Sequence, residues 1–154
     1  MATLTSSRAA AGAAVPGLTI PQGTLGVAWG LYALTADPSP ADIVQLCRVP
    51  KGATVIGGFV QAGDIDTDAT ETLDFDVGWE ANGVDSADAD GFGNFGVQTG
   101  DASVHLPVAG VWLPFVNIIQ DPGYKTFGAE TIISVTVVDD AATFTAGPIK
   151  VVVY

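Results

Sequence analysis

From Thr24 onward the chain is a succession of short apolar or alternating runs separated by turn residues. The runs 25–34, 43–49, 55–61, 73–79, 102–106, 111–119, 132–138 and 149–154 predict strands. A period of two buries one face of a pleated strand and wets the other. Leu73, Phe75, Val77 and Trp79, interleaved with Asp74, Asp76 and Gly78, show that period most cleanly. Val and Ile dominate several runs, and β-branched side chains fit a pleated surface. The breaks are Asp37-Pro38-Ser39-Pro40, Pro50-Lys51-Gly52, Asn82-Gly83, the glycines from Gly91 to Gly96, Asp121-Pro122-Gly123 and Ala146-Gly147-Pro148, each a turn or loop signal. The best helical stretch, 40–46, amounts to about two turns. This spacing of strands and turns predicts an all-β fold, a single β-sandwich or jelly-roll domain over residues 24–154.

Two segments break the pattern. Residues 1–23 are small and Thr/Ser/Ala-rich, are interrupted by Pro16, Gly17 and Pro21, and sustain no period. They predict an extended N-terminal arm that reaches on the order of 75 Å when fully stretched. Leu4, Val15, Leu18 and Ile20 are apolar and are its candidate contacts with a neighbouring molecule; the plainer alternative is a frayed terminus. Residues 80–100 carry Gly83, Gly91, Gly93, Gly96 and Gly100 with Asp85, Asp88 and Asp90, and predict a long irregular loop.

Charge narrows the partners. The chain has 17 Asp and Glu against 5 Lys and Arg, a net charge of −12, and only 14% charged residues in 154. Phosphate backbones and anionic bilayers are bound through Lys and Arg, so neither nucleic acid nor a membrane surface is an expected partner. A surface this poor in charge is expected to be partly covered by neighbours. Strong like charge opposes random association, so specific assembly falls to apolar contacts. Residues 9–14 are too weakly apolar for a signal peptide, and no run is long enough to span a bilayer. The single cysteine, Cys47, rules out an intrachain disulfide and fits synthesis in a reducing cytoplasm.

Several residues invite a chemical reading. Ten acids lie between Asp64 and Asp90, and no Lys or Arg occurs between Lys51 and Lys125. Asp64, Asp66 and Asp68 have the opening spacing of an EF-hand and form a weak calcium candidate. Ala69 stands where that loop needs Gly and Phe75 where it needs a bidentate Glu, so the motif fails, and a solvated acidic rim is the simpler account. Carboxylate pairs for glycoside hydrolysis are uninformative when so many acids are present. Ser103 and His105 lie two residues apart on an expected strand, about 7 Å, which is too far for a nucleophile–base pair. No G-x-S-x-G elbow occurs. Cys47 sits between apolar neighbours as a small buried hydrophobe. The G-x-G-x-x-G string at 91–96 joins no strand to a helix and lies among acids, so it is not a dinucleotide fingerprint. Trp29, Trp79 and Trp112 are either core residues or platforms for a carbohydrate or an interface. No catalytic residue, metal or cofactor is assigned, and the chain is not read as an enzyme.

Four stretches together resemble a known class. They are Tyr32-x-Leu-Thr-Ala36, then Asp42-x-Val-Gln-Leu-Cys-x-Val-Pro-x-Gly-Ala53. Asp64-Ile-Asp-Thr-Asp68 leading to Leu73-Asp-Phe-Asp-Val-Gly78 is the third, and Thr143-x-x-Ala-Gly-x-Ile-x-Val-x-Val153 the last. Over roughly residues 25–154 the chain resembles small head proteins of tailed bacteriophages; the arm and the Gly-rich loop lie outside the likeness. The resemblance implies a decoration or cement protein, a β-sandwich or jelly roll, commonly a trimer, on the capsid exterior at three-fold positions. Its partners would be the major capsid protein and its own copies, and it offers no catalytic residues to carry over. The alternatives are another virion part, such as a head-fibre base, tail or adaptor subunit, or a carbohydrate-binding or adhesion module.

Overall fold

The computed structural model describes residues 1–13, 25–97 and 124–154, with Phe95 as backbone only. The strands expected at 102–106 and 111–119, and with them Ser103, His105 and Trp112, lie outside the described residues. So do Val15, Leu18 and Ile20.

Ten strands occur among the described residues and no helix. They are β1 (Thr3–Thr5), β2 (Ala28–Leu34), β3 (Ile43–Val49), β4 (Thr54–Val55), β5 (Gly58–Ala62), β6 (Asp74–Trp79), β7 (Asp88–Val97), β8 (Lys125–Thr126), β9 (Thr131–Asp139) and β10 (Gly147–Val153). One sheet has the order β1-β3-β9-β6-β7, a second β2-β10-β5, and β4 pairs with β8. Every pairing except β1 with β3 is antiparallel. This is the expected β-sandwich.

Alternation builds the core. Val44, Leu46, Phe75, Val77, Ile133, Val135 and Val137 point inward from the larger sheet. Leu34, Val60, Ile149, Val151 and Val153 meet them from the smaller one. The two sheets share one buried cluster, and each fully buried Val, Leu, Ile or Phe contributes about 1.5–3 kcal/mol. The β3–β9 register shifts between Gln45 and Cys47, so Leu46 and Cys47 are both buried in succession.

Three elements differ from the sequence reading. The run 55–61 splits into β4 and β5, because the N–H groups of Ile56 and Gly57 both donate to the Tyr154 carbonyl instead of continuing a ladder. The stretch expected as a long loop contains β7, ten residues paired with β6. Glycine is what lets β7 lie there: a Cβ on Gly78 would stand 1.9 Å from the Asp88 carbonyl oxygen, and one on Gly91 2.2 Å from the Trp79 ring. Finally, Thr3–Thr5 lies within the segment expected as an arm, yet it is an edge strand of the larger sheet, in register with Ile43 to Gln45. The chain after it stays attached: Arg48 Nε donates to the Ala9 carbonyl at 2.8 Å, and Ala9 is buried. The rest of the segment expected as an arm, residues 14–23, lies outside the described residues.

Candidate functional site

The sequence singled out the acidic stretch, and the structure divides it into three jobs. Asp66 is buried and accepts hydrogen bonds from five backbone N–H groups. Oδ2 takes those of Thr72 (2.8 Å), Ala142 (3.0 Å) and Leu73 (3.2 Å). Oδ1 takes those of Thr143 (3.0 Å) and Asp68 (3.3 Å). Burial pushes the carboxyl up, but the bonds from Thr72, Thr143, Ala142 and Leu73 together outweigh it and hold the pKa at about 2. Asp66 thus ties the 64–73 loop to the β9–β10 connection. Its lone pairs are spent on amides, not held open toward an ion. Asp68 is engaged too, by Thr70 N–H and the Thr143 hydroxyl. Among the described residues no group of three or more His, Cys, Asp or Glu side chains is arranged to hold a metal.

Asp85 organises a turn. Asn82 Oδ1 accepts from the Val84 and Asp85 amides. Asp85 accepts from Asn82 Nδ2 (2.9 Å), the Gly128 amide (2.8 Å) and Lys125 Nζ (3.1 Å). The Asn82 amide, the Gly128 N–H and Lys125 hold its pKa down at about 2.

The third group has the opposite character. Asp74 and Asp76 project from the outer face of β6, since Phe75 and Val77 between them face the core. Asp88 and Asp90 follow on the neighbouring β7. Asp74 Oδ1 and Asp76 Oδ1 are buried with no hydrogen-bond partner among the described residues. Burial, reinforced by the charges of Asp90 and Asp74, pushes Asp76 up to about 6. Burial, and then the nearby Asp139 charge against the bond from the Phe75 amide, raises Asp74; burial and then Asp90 raise Asp88. For Asp76 the folded-state value lies above the unfolded one, near 3.9. Ionisation therefore opposes folding above about pH 6, and that cost fades as the pH falls toward 4. Asp76→Asn is expected to raise stability at pH 7 by about 1 kcal/mol, the shift being discounted for solvent screening. Melting curves at pH 7 and pH 4 check it: the gain should be present in the first and absent in the second.

The aromatic and sulfur candidates separate as well. Trp79 is a core residue, its ring edge-on to Phe92 at 5.0 Å and to Phe127 at 5.5 Å, with Nε1 donating to the Ser86 carbonyl. Trp29 is 40% exposed on the outer face of β2, and the Arg8 guanidinium lies 3.9 Å above its ring, which takes one side of that ring from any sugar. Cys47 is buried; desolvation, opposed only by Arg8, pushes its thiol up to about 12, which leaves it unreactive. Leu4 is half-buried and packs on the chain's own core, through the register that sets it opposite Val44.

Sequence reasoning passed over the outer face of the smaller sheet. Ala28, Gly30, Leu34, Val60, Ile149, Val151 and Val153 face inward, so Trp29, Leu31, Phe59, Gln61, Lys150 and Val152 face out. Val152 lies opposite both Trp29 and Phe59, and Lys150 opposite both Leu31 and Gln61. The three strands contain no Asp or Glu, although the chain has 17. The signal was in the sequence, as the absence of acids from 28–34, 58–62 and 147–153. The sandwich is two-faced: acidic outside β6–β7, apolar and weakly cationic outside β2-β10-β5.

Among the described residues no helix is long and apolar enough to cross a membrane. No protein-family model matches the chain, and no characterised protein matches it in sequence. Two solved structures share its fold. A chain in the capsid of Ralstonia phage GP4 superposes with a TM-score of 0.67 at 18% identity, over 99% of this chain and 96% of that one. A chain in the capsid asymmetric unit of cyanophage Pam1 superposes with a TM-score of 0.53 at 25% identity, over 89% of this chain and 90% of that one.

Proposed function

We propose that this chain is a structural protein of a phage virion, a decoration or cement protein that binds the outside of the assembled capsid and stabilises it. One observation carries the reading: two fold neighbours that span nearly the whole chain are both components of phage capsids. The chemistry agrees with it. Asp66 and Asp85 serve to hold the fold together, Asp74, Asp76, Asp88 and Asp90 cluster on β6 and β7, and the net charge of −12 suits a protein kept away from packaged DNA. A protein that binds the closed shell more tightly than its dissociated subunits stabilises the shell by linkage. Many copies on a rigid lattice add their modest affinities. The working unit is a trimer at three-fold positions, and Val15, Leu18 and Ile20 of the N-terminal segment add contacts with the major capsid protein.

Shells of the cognate major capsid protein, mixed with the purified chain, test this. The chain is expected to sediment with closed shells and not with free capsid subunits, and to raise the melting temperature of the shells by several degrees. Sedimentation equilibrium of the free chain is expected to give three times the monomer mass of 15.6 kDa. A chain that stays in the supernatant would sink the proposal.

A further inference from the structure

We infer that the outer face of the β2-β10-β5 sheet is the surface that seats the chain on the shell, and that the shell meets it with an apolar patch carrying carboxylates opposite Lys150 and Arg8. The inference rests on the function proposed above and names the surface that performs it.

The face is apolar where a solvated sheet face would be polar. Its central row is Trp29, Val152 and Phe59, side by side across three strands; Trp29 is exposed, Phe59 is half-buried and Val152 is buried between them. Leu31 is 46% exposed beside them, and Tyr154, which follows Val153 of β10, is 37% exposed at the same end of the sheet. An antiparallel sheet with one solvated face normally alternates apolar-in and polar-out. Exposed Trp29, Leu31 and Tyr154 grouped on one sheet face mark it as an interaction site.

Charge decides the occupant. Arg48 and Lys125 are ion-paired, with Glu130 and Asp85. Lys150 has no ion pair within the described residues and stands in the middle of the face, between Leu31 and Gln61. Arg8 caps the Trp29 edge. A second copy docking here through the same face would bring its own Lys150 and Arg8 and no acid, and would desolvate cations without counter-charge, which is costly. A different protein surface, apolar at the centre with acidic groups aligned to the two cations, satisfies both the burial and the charge. The self-contacts of a trimer then lie elsewhere on the sandwich, and the acidic β6–β7 face is left toward solvent.

Three full-length variants test this: Leu31→Asp, Lys150→Glu, and Val84→Asp as a control on the Asn82 turn, where Val84 is exposed. Binding to shells of the cognate major capsid protein is measured by co-sedimentation, oligomer mass by sedimentation equilibrium, and folding by Tm. Leu31→Asp and Lys150→Glu are each expected to weaken shell binding at least tenfold with mass and Tm unchanged, and Val84→Asp to bind as the parent. If the parent binds and both face variants bind within twofold of it, the inference is overturned and the proposed function stands. If the face variants change the oligomer mass, a second copy occupies the face. If they lower Tm and leave shell binding intact, the chain itself covers the face; either result overturns the inference. A parent chain that fails to bind shells overturns the function and this surface with it. Should Leu31→Asp not fold, Lys150→Glu alone carries the test.

Discussion

Truncation of Asp66 to alanine is expected to lower stability by about 4 kcal/mol at pH 7, a fall in Tm of roughly 10–15 °C for a chain of this length. The magnitude follows from what the carboxylate holds. Five amide N–H groups end on its two oxygens, from Asp68, Thr72, Leu73, Ala142 and Thr143. Bonds to an ionised acceptor contribute about 1.5–3 kcal/mol each in isolation, but they share one carboxylate and are not additive. Removing it leaves buried donors unsatisfied and severs the link between the 64–73 loop and the β9–β10 connection. Asp66→Asn keeps one acceptor oxygen but turns an amide N–H toward other N–H groups, so it is expected to lose about half as much.

The same group sets an acid limit. Its folded-state pKa of about 2 lies below the unfolded value near 3.9. The stabilisation is complete above about pH 4 and is lost as the pH falls through 4 toward 2; the shift corresponds to about 2.5 kcal/mol. Asp76 acts with the opposite sign between pH 7 and pH 4. The two together place the stability maximum near pH 5. Urea unfolding at pH 7, 5 and 3 checks this. In Asp66→Asn the drop between pH 5 and pH 3 should shrink. An undiminished drop would show that other carboxylates govern acid unfolding.

These residues also show what the sequence makes legible. The alternation at 73–79 announced β6, and the Val/Ile runs announced β3, β9 and β10, because apolar period and β-branching act locally. The β7 strand was hidden because three of its ten residues are acids or amides and three are glycines. Gly91 is required by its close approach to the Trp79 ring of β6 and Gly96 by its positive φ, demands that leave no hydropathy signal. The role of Asp66 was hidden for the same reason. Asp64, Asp66 and Asp68 look alike as a string, but only Asp66 turns inward, and two of its donors come from 142 and 143, some 76 residues on. The strand at Thr3–Thr5 is three residues long and defined entirely by its partner, Ile43 to Gln45.

A side chain at Gly30 is expected to damage the fold most of all glycine substitutions among the described residues. Gly30 lies in β2, at the edge of the smaller sheet, directly against β3 of the larger one. A Cβ there would stand 1.8 Å from the Leu46 carbonyl oxygen, 2.2 Å from its carbon and 2.9 Å from its Cα. All three are backbone atoms, so no rotamer change relieves the clash. The Leu46 carbonyl sits at the β3 register shift and accepts the Ser6 hydroxyl, which anchors the chain after β1. To make room, β2 must leave β3, and the two sheets must part along the seam that closes the core. Overpacking costs about 1–3 kcal/mol where side chains can adjust and more where they cannot. Gly30→Ala is therefore expected to lose about 3–5 kcal/mol, and Gly30→Val to leave no cooperative unfolding transition. Gly83→Ala separates this effect from simple backbone preference. Gly83 has φ +86° and open space around its Cβ direction, so its substitution should cost only about 1 kcal/mol. Tm values of the variants, with proteolysis near residues 6–13 as a second readout, decide it. Early cleavage there in Gly30→Ala and not in Gly83→Ala is the expected result. Equal losses in the two variants would mean that the sheets close without the β2–β3 contact.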